Sequence, residues 1–389
     1  MKLCIVTFKE CWPDGNGGWL SYGGFPQQMH AISSLFDDVR MLVVGVPPRQ
    51  GGMPLPRRAL VVPLARPVGA DGRRKLSVLS RLPYYLGRML PHVSRADVVH
   101  LPLPGDLPLL GLALGALCRK RMLVRYGGSW FPTSQSTFMN RVTRTCMRGL
   151  RGRRHVMFAT GAGDLPPARG IEWLFATAIS ETEVRTTQPD LDRIPSDLRL
   201  IYPGRLSPEK GVRYLIEALA ALRAGGEPRA CRVSLTVVGD GPERHALEGL
   251  AQGLGCGPQI RFAGQLPRPQ LLAELLASDV CVLPSLTESF CKARLDAMLC
   301  GVPTVTTPVG FGAELVGQDG ERGWLVPSGD ARAIAHVVGR LALDGTDWPA
   351  VRRRCRRFAE LFTIERWRTQ IAEACAAQWG VRLEDGRLR

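Results

Sequence analysis

The chain has 389 residues, 45% of them hydrophobic and 22% charged, with a formal net charge of +16. That length exceeds a single ordinary core, so two domains are expected, and the composition excludes a disordered or fibrous chain. The positive excess sits in residues 1–196, which hold 26 Lys and Arg against 13 Asp and Glu, while residues 197–389 hold 25 against 22.

Short β-branched runs alternate with longer amphipathic stretches, the pattern of βαβ units around parallel sheets. The chain opens on Leu3-Cys4-Ile5-Val6, which reads as a buried strand rather than a secretory leader. In the first half, strands are predicted at 2–8, 39–46, 60–64, 97–101, 121–125, 155–160 and 174–179. Helices are predicted at 26–36, 75–90 and 137–150. The near-apolar stretch 107–118 is too short to span a bilayer and fits a buried helix. The polar, proline-punctuated stretch 186–197 is the expected linker. Beyond it, strands are predicted at 198–202, 233–238, 260–262, 280–283, 304–306 and 324–326, with helices at 212–223, 243–252, 270–277 and 291–299. Residues 349–361 and 364–379 also read as helical. The expected class is α/β, with two Rossmann-like doubly wound domains, 1–190 and 197–362, facing each other across a cleft. A C-terminal helical segment, 363–389, is expected to pack back across their junction.

Eleven cysteines occur without C-x-x-C pairs or Cys/His ligand spacing. Cys4, Cys231 and Cys281 lie in apolar runs, where a thiol packs as a small hydrophobe. A reduced, cytoplasmic protein without a metal site is expected. The basic first half suits phosphate-bearing partners or an anionic membrane, and equally an arginine-rich solvated face. Aromatics that could stack on bases are missing around 151–154 and 352–354, so nucleic acid is not an expected partner.

The segment 204–211, GRLSPEKG, follows a strand and opens a helix, with Ser207 placed to cap it and Pro208 in its first turn. Free N–H groups at a helix start, together with Arg205 and Lys210, suit a phosphate or diphosphate. Taken alone, a charged surface turn fits the same residues, and the spacing is not that of a P-loop. Val237-Val238-Gly239-Asp240-Gly241-Pro242 is a strand ending in a glycine-rich turn. The densest pattern runs over 284–303. Glu288 follows a buried strand, and Asp296, eight residues later, is expected about two turns away on the same helix face. Two such carboxylates can accept hydrogen bonds from hydroxyls at opposite ends of one elongated ligand. Glu288 alone could instead favour its own helix N-terminus. Gly301 and Pro303 end the helix.

In order, Arg205 and Lys210, Gly239-Asp240-Gly241-Pro242, Pro284-Ser285, Glu288, Asp296-Ala297-Met298, Cys300-Gly301 with Pro303, and Gly310 with Glu314 form one series. It resembles the donor domain of retaining family-4 glycosyltransferases of the GT-B fold (glycosyl transferases group 1), which share a Glu-(x)7-Glu motif. The likeness covers about 199–330. In the first half, Gly23-Gly24 before a helix resembles the family's glycine turn near the donor phosphates, and Asp97-Val98-Val99-His100 its usual strand.

The resemblance implies transfer of a sugar from a nucleoside-diphosphate sugar to a hydroxyl of a glycan or lipid-linked acceptor, with retained anomeric configuration. Such a role belongs to polysaccharide biosynthesis, at the inner face of a membrane, without metal or other cofactor. Arg205, Lys210 and Glu288 would be catalytic: the two cations hold the diphosphate and Glu288 meets sugar hydroxyls. Gly23, Gly24, Gly204, Gly239, Ser289, Phe290, Cys291, Lys292 and Asp296 would bind the donor. Among them, the N–H groups of Ser289 to Lys292 would face sugar or phosphate, and Asp296 would face the ribose.

Three positions depart from the family pattern. Asp296 is one methylene shorter than Glu, and Cys291-Lys292 replaces a glycine and an apolar residue. Arg125-Tyr126-Gly127-Gly128 occupies the place of a His-Gly turn, leaving His100 as the nearest candidate for a cleft histidine. Two rival classes are a GT-B-type sugar-nucleotide epimerase, for which only six histidines are present, and a non-catalytic sugar-nucleotide-binding partner.

Overall fold

The computed structural model describes residues 1–69, 71–133, 136–150, 152–228, 232–343 and 345–389; Arg151 and Cys231 lie outside the described residues. The chain folds as two units, Met1–Ala178 with Ile364–Arg389, and Ile179–Thr363.

The first unit is built on strands β1 (Lys2–Pro13), β2 (Trp19–Ser21), β3 (Asp38–Gly45), β4 (Met53–Pro54), β5 (Leu60–Leu64), β6 (Val98–Leu103), β7 (Arg121–Tyr126), β8 (His155–Thr160) and β9 (Glu172–Leu174). Its parallel part runs β5-β3-β1-β6-β7-β8-β9, and the far end of β1 pairs antiparallel with β2, which pairs with β4. Side chains alternate between two buried faces. Cys4, Val6, Val99, Leu101, Met122 and Val124 enter one apolar cluster; Leu3, Ile5, Val98, Leu123, Val156 and Phe158 enter the other.

A parallel sheet buried in this way needs helices on both faces. The helices Leu82–Arg95 and Asp106–Leu117 cover the first face through Tyr85, Met89, Leu107 and Leu112. Phe25–Ser33 and Ile364–Trp379 cover the second, the latter with Trp367, Ile371 and Cys375 spaced four apart as one apolar stripe.

Local chemistry shifted some expected boundaries. The predicted helix at 75–90 is two helices, Asp71–Ser80 and Leu82–Arg95, with Pro83 opening the second. The strand predicted at 174–179 ends at Leu174. Its remaining residues lead into the helix Glu181–Thr186, where a Ser180/Glu183 capping box satisfies two end groups reciprocally.

The second unit holds six parallel strands: β10 (Arg199–Pro203), β11 (Ser234–Val238), β12 (Ile260–Gly264), β13 (Val280–Leu283), β14 (Thr304–Thr306) and β15 (Gly323–Leu325). Their order is β12-β11-β10-β13-β14-β15. The winding therefore reverses between β10 and β13, so loops leaving the carboxyl ends of these two strands diverge and open a crevice.

At the opposite, amino-terminal end of the same strands lies Asp279, fully buried. It takes Arg193 at 2.8 Å, Arg199 at 3.1 Å and the buried Arg352 at 3.1 Å. Arg352 also donates to the carbonyls of Arg193 (3.1 Å) and Gly301 (3.2 Å). The stretch read as a linker is thus fixed to the second unit through Arg193, and the division falls after Ala178 instead of near residue 190.

Asp279→Asn removes the only negative group in this cluster of guanidinium groups. It should destabilise the second unit by about 3–5 kcal/mol, read as a lowered urea midpoint for that unit; a change below about 1 kcal/mol would show that the arginines find other partners.

Candidate functional site

The loop after β10 is drawn tightly against its neighbours. Gly204 N–H donates to Val238 O (2.9 Å), and the Tyr202 hydroxyl donates to Arg205 O (2.8 Å). A Cβ on Gly239, itself at φ +136°, would fall 1.8 Å from Gly204 O, and one on Gly241 would fall 2.2 Å from Leu206 O. Only glycine allows this crossing of two backbones. Ser207 does not cap through its side chain; its hydroxyl donates to Glu209 Oε1 at 2.6 Å. One 3-10 turn, Pro208–Lys210, precedes left-handed Gly211 (φ +66°), after which the helix Val212–Ala224 begins.

Glu209 O accepts from Leu286 N at 2.9 Å, joining this loop to the one after β13. The Lys210 ammonium then meets the Glu288 carboxylate, both largely buried. Burial alone would lower the Lys210 pKa, but the Glu288 carboxylate outweighs it and holds the amine protonated. Arg205 stays exposed on the same loop. Arg205, Lys210 and Glu288 therefore share the two loops at the winding reversal.

Glu288 lies outside any helix. The helix begins at Lys292, with Cys291 at its N-cap and no side-chain capping bond. The expectation that Glu288 and Asp296 share one helix face is thus corrected: three loop residues, Ser289 to Cys291, separate Glu288 from the helix, and the Glu288 carboxylate instead accepts from Ser289 N–H at 3.2 Å. The loop after β14 presses on it, since a Cβ on Gly310 (φ +56°) would lie 2.7 Å from Glu288 O. Cys291 is buried, and burial followed by the Glu288 charge pushes its thiol pKa up, so the neutral thiol persists. Phe290 is buried beside it, while Ser289 and Lys292 are half-buried.

Asp296 accepts from Arg268 Nη2 at 3.0 Å, and Arg268 also pairs with Glu183. Burial works against the Arg268 charge, but the two carboxylates more than compensate and raise its pKa. Sequence reading missed Arg268 and Glu183. They lie 28 and 113 residues before Asp296, and no local spacing links them. Arg294 is buried as well, with Nη2 on Thr306 Oγ1 (2.9 Å) and two further nitrogens unpartnered.

Gly23 and Gly24 belong to the first unit. Gly23 has φ +74° and open space around its Cα, and Gly24 is the N-cap of Phe25–Ser33. His100 is wholly buried in β6, its Nδ1 2.9 Å from Leu123 O and its Nε2 unpartnered. Since a carbonyl only accepts, Nδ1 carries the proton. Burial, with Arg125 adding to it, lowers the imidazole pKa to about 3. Arg125 donates to Gln28 Oε1 (2.9 Å) and lies 4.5 Å over the Trp367 ring. Among the described residues, no group of three or more His, Cys, Asp or Glu is placed to hold a metal ion, and no helix is long and apolar enough to cross a membrane.

The family described as glycosyl transferases group 1 matches residues 197–344, the stretch containing both loops and the Arg268–Asp296 pair. That stretch belongs to glycosyl transferases group 1. A GDP-mannose-dependent alpha-(1-6)-phosphatidylinositol dimannoside mannosyltransferase of Mycobacterium tuberculosis (strain ATCC 25177 / H37Ra) is 37% identical over 176 residues, 44% of this chain and 42% of that protein. A D-inositol 3-phosphate glycosyltransferase of Corynebacterium urealyticum is 32% identical over 184 residues, 46% of this chain and 43% of its own. The matches thus span less than half of these curated relatives.

Solved structures extend the likeness in shape to nearly the whole chain. Sucrose-phosphate synthase from Thermosynechococcus elongatus superposes with a TM-score of 0.72 at 19% identity, covering 98% of this chain and 99% of that one. Anabaena HepE, solved with UDP and glucose, gives 0.68 at 19% identity, covering 97% and 100%. The chain has the GT-B fold, with two Rossmann-like units.

His100 yields a pH test. Its folded pKa lies below its unfolded value of about 6.5, so the stabilisation is complete above pH 6.5 and declines toward pH 3. Between pH 6.5 and 4.5, wild type should lose about 2 kcal/mol more stability than His100→Gln in urea unfolding; parallel losses would mean that the folded ring protonates normally.

Proposed function

We propose that the protein is a glycosyltransferase that moves a sugar from a nucleoside-diphosphate sugar to a hydroxyl of a glycan or lipid-linked acceptor, with anomeric retention. The observation that carries this reading is the meeting of Lys210 with Glu288 at the winding reversal, beside exposed Arg205. A departing diphosphate gains negative charge as the sugar–oxygen bond breaks, and two prepositioned cations stabilise that charge. Arg205 and Lys210 are assigned this role. Glu288 is assigned the sugar hydroxyls, aligning the ring while its partner Lys210 faces the phosphates.

Gly204 and Gly239 are assigned donor contacts through the backbone of the turns they form, as are Gly23 and Gly24 in the first unit. Ser289, Phe290, Cys291 and Lys292 are assigned the sugar or the phosphates through their backbone. Asp296 is assigned the ribose, its carboxylate steered by Arg268. The reaction as proposed draws on no metal or other cofactor. The basic first half supports work beside an anionic membrane on its cytoplasmic side, in polysaccharide biosynthesis.

Relatives named for GDP-mannose, and the HepE structure with UDP, set the donor panel. A true donor should raise the melting temperature, since it binds only the folded state. With that donor and a panel of polyprenyl- and inositol-containing acceptors, Lys210→Ala should lower kcat by about 100- to 1000-fold while circular dichroism stays unchanged. Unaltered turnover would remove Lys210 from the reaction, and conversion of the donor without any acceptor would favour an epimerase.

A further inference from the structure

The first unit contains a second charged feature, independent of the proposed transfer reaction. A cavity of about 870 Å³ opens at the amino-terminal edge of its sheet, where residues before β6, β7 and β8 meet the end of the helix Ile364–Trp379. Ligand crevices in doubly wound sheets lie at the carboxyl ends of strands, so this is not the position that the fold itself would prepare.

Its lining brings together Arg119, Lys120, Arg121, Arg153 and Arg154, with Asp97 the one acid. Asp97 is partly engaged already, accepting from Lys2 N–H at 2.7 Å. None of the five cations has a carboxylate partner within ion-pair distance among the described residues. What holds several of them is backbone. Arg154 Nη1 donates to Arg119 O (3.0 Å), Lys120 Nζ to Ser94 O (2.7 Å) and Arg121 Nη2 to Trp379 O (3.4 Å). Carbonyls orient these groups without cancelling their charge, and each guanidinium retains further N–H donors.

The backbone adds a separate sign. Arg119 has φ +52°, the left-handed conformation closing the helix Asp106–Leu117, where Arg119 N–H donates to Ala116 O (3.0 Å) and Lys120 N–H to Gly115 O (2.9 Å). Glycine is the usual residue at such a helix end. An arginine there tolerates strain at the one point that sets its side chain on the cavity.

We propose that this cavity binds a polyanionic, phosphate-bearing ligand: either a free polyphosphate group or the phosphate of a lipid headgroup. Arginine forks suit phosphate oxygens, and several uncancelled cations favour more than one negative charge. The Trp379 indole is committed through its N–H to Arg154 O at 3.2 Å, so the site offers no row of rings for stacked bases.

The test titrates the full chain with inorganic tripolyphosphate by calorimetry, and sediments it with phosphatidylcholine vesicles containing or lacking phosphatidylglycerol, at about 50 mM salt. Arg153→Glu with Arg154→Glu, both exposed, should weaken whichever probe binds by about tenfold or more. Arg332→Glu with Arg357→Glu, exposed residues of the second unit, changes the net charge equally and should weaken it less than about twofold. Should the double reversal unfold, Arg153→Gln alone is expected to weaken binding by about threefold. Binding of tripolyphosphate identifies a free phosphate ligand, and binding only to phosphatidylglycerol vesicles identifies a headgroup; either supports the site. Failure of both probes to bind, or equal loss in pocket and control variants, overturns it.

Discussion

Asp279 and its three arginines form the constraint on which the second unit depends. A parallel sheet is held by evenly spaced hydrogen bonds along each strand, but these do not fix how residues outside the sheet join it. The carboxylate at the start of β13 reaches Arg199 at the start of β10, Arg193 in the entering chain and Arg352 in the helix Trp348–Ala359. Four separate stretches are thereby referenced to one point. Burial disfavours the charge on Arg352, with Arg193 adding to that effect, and Asp279 works in the opposite direction. Such a group is tolerable in the interior only because each charge has a partner.

With one end of β10 and β13 fixed, backbone sterics shape the loops at the other. Gly204 under Gly239, Leu206 under Gly241, Pro284 against Gly211 and Glu288 against Gly310 are all approaches that a side chain would prevent. These contacts bring Lys210 to Glu288 from loops 78 residues apart in sequence. The pair neutralises itself in the free protein. Under the proposed reading, an incoming diphosphate competes with Glu288 for the ammonium, which ties phosphate binding to the freedom of the carboxylate assigned to the sugar.

Much of this was legible in the sequence because it follows from local pattern. Apolar runs such as Val280–Leu283 and the turns at Gly204, Gly239 and Gly301 mark strand ends and helix stops within a few residues, and the doubly wound class follows from their alternation, while the strand orders come from the structure. Glu288 was legible as a residue but not as geometry. Eight residues equal two helical turns only if the helix is continuous, and here it starts four residues later at Lys292. Arg268, Glu183 and the Asp279 cluster were not legible, because long-range ion pairs leave no periodic trace. His100 was read as a candidate on residue type alone, and burial decides its character.

The return of Ile364–Trp379 to the first unit bears on the order in which the molecule is made. Until those residues leave the ribosome, one face of the first sheet, with Leu3, Ile5 and Phe158, lacks the cover of Trp367 and Ile371. The second unit, being continuous in sequence, can complete its core beforehand. Nascent chains therefore carry an unfinished apolar surface through the whole synthesis of the intervening unit, the interval in which a chaperone would have most to protect.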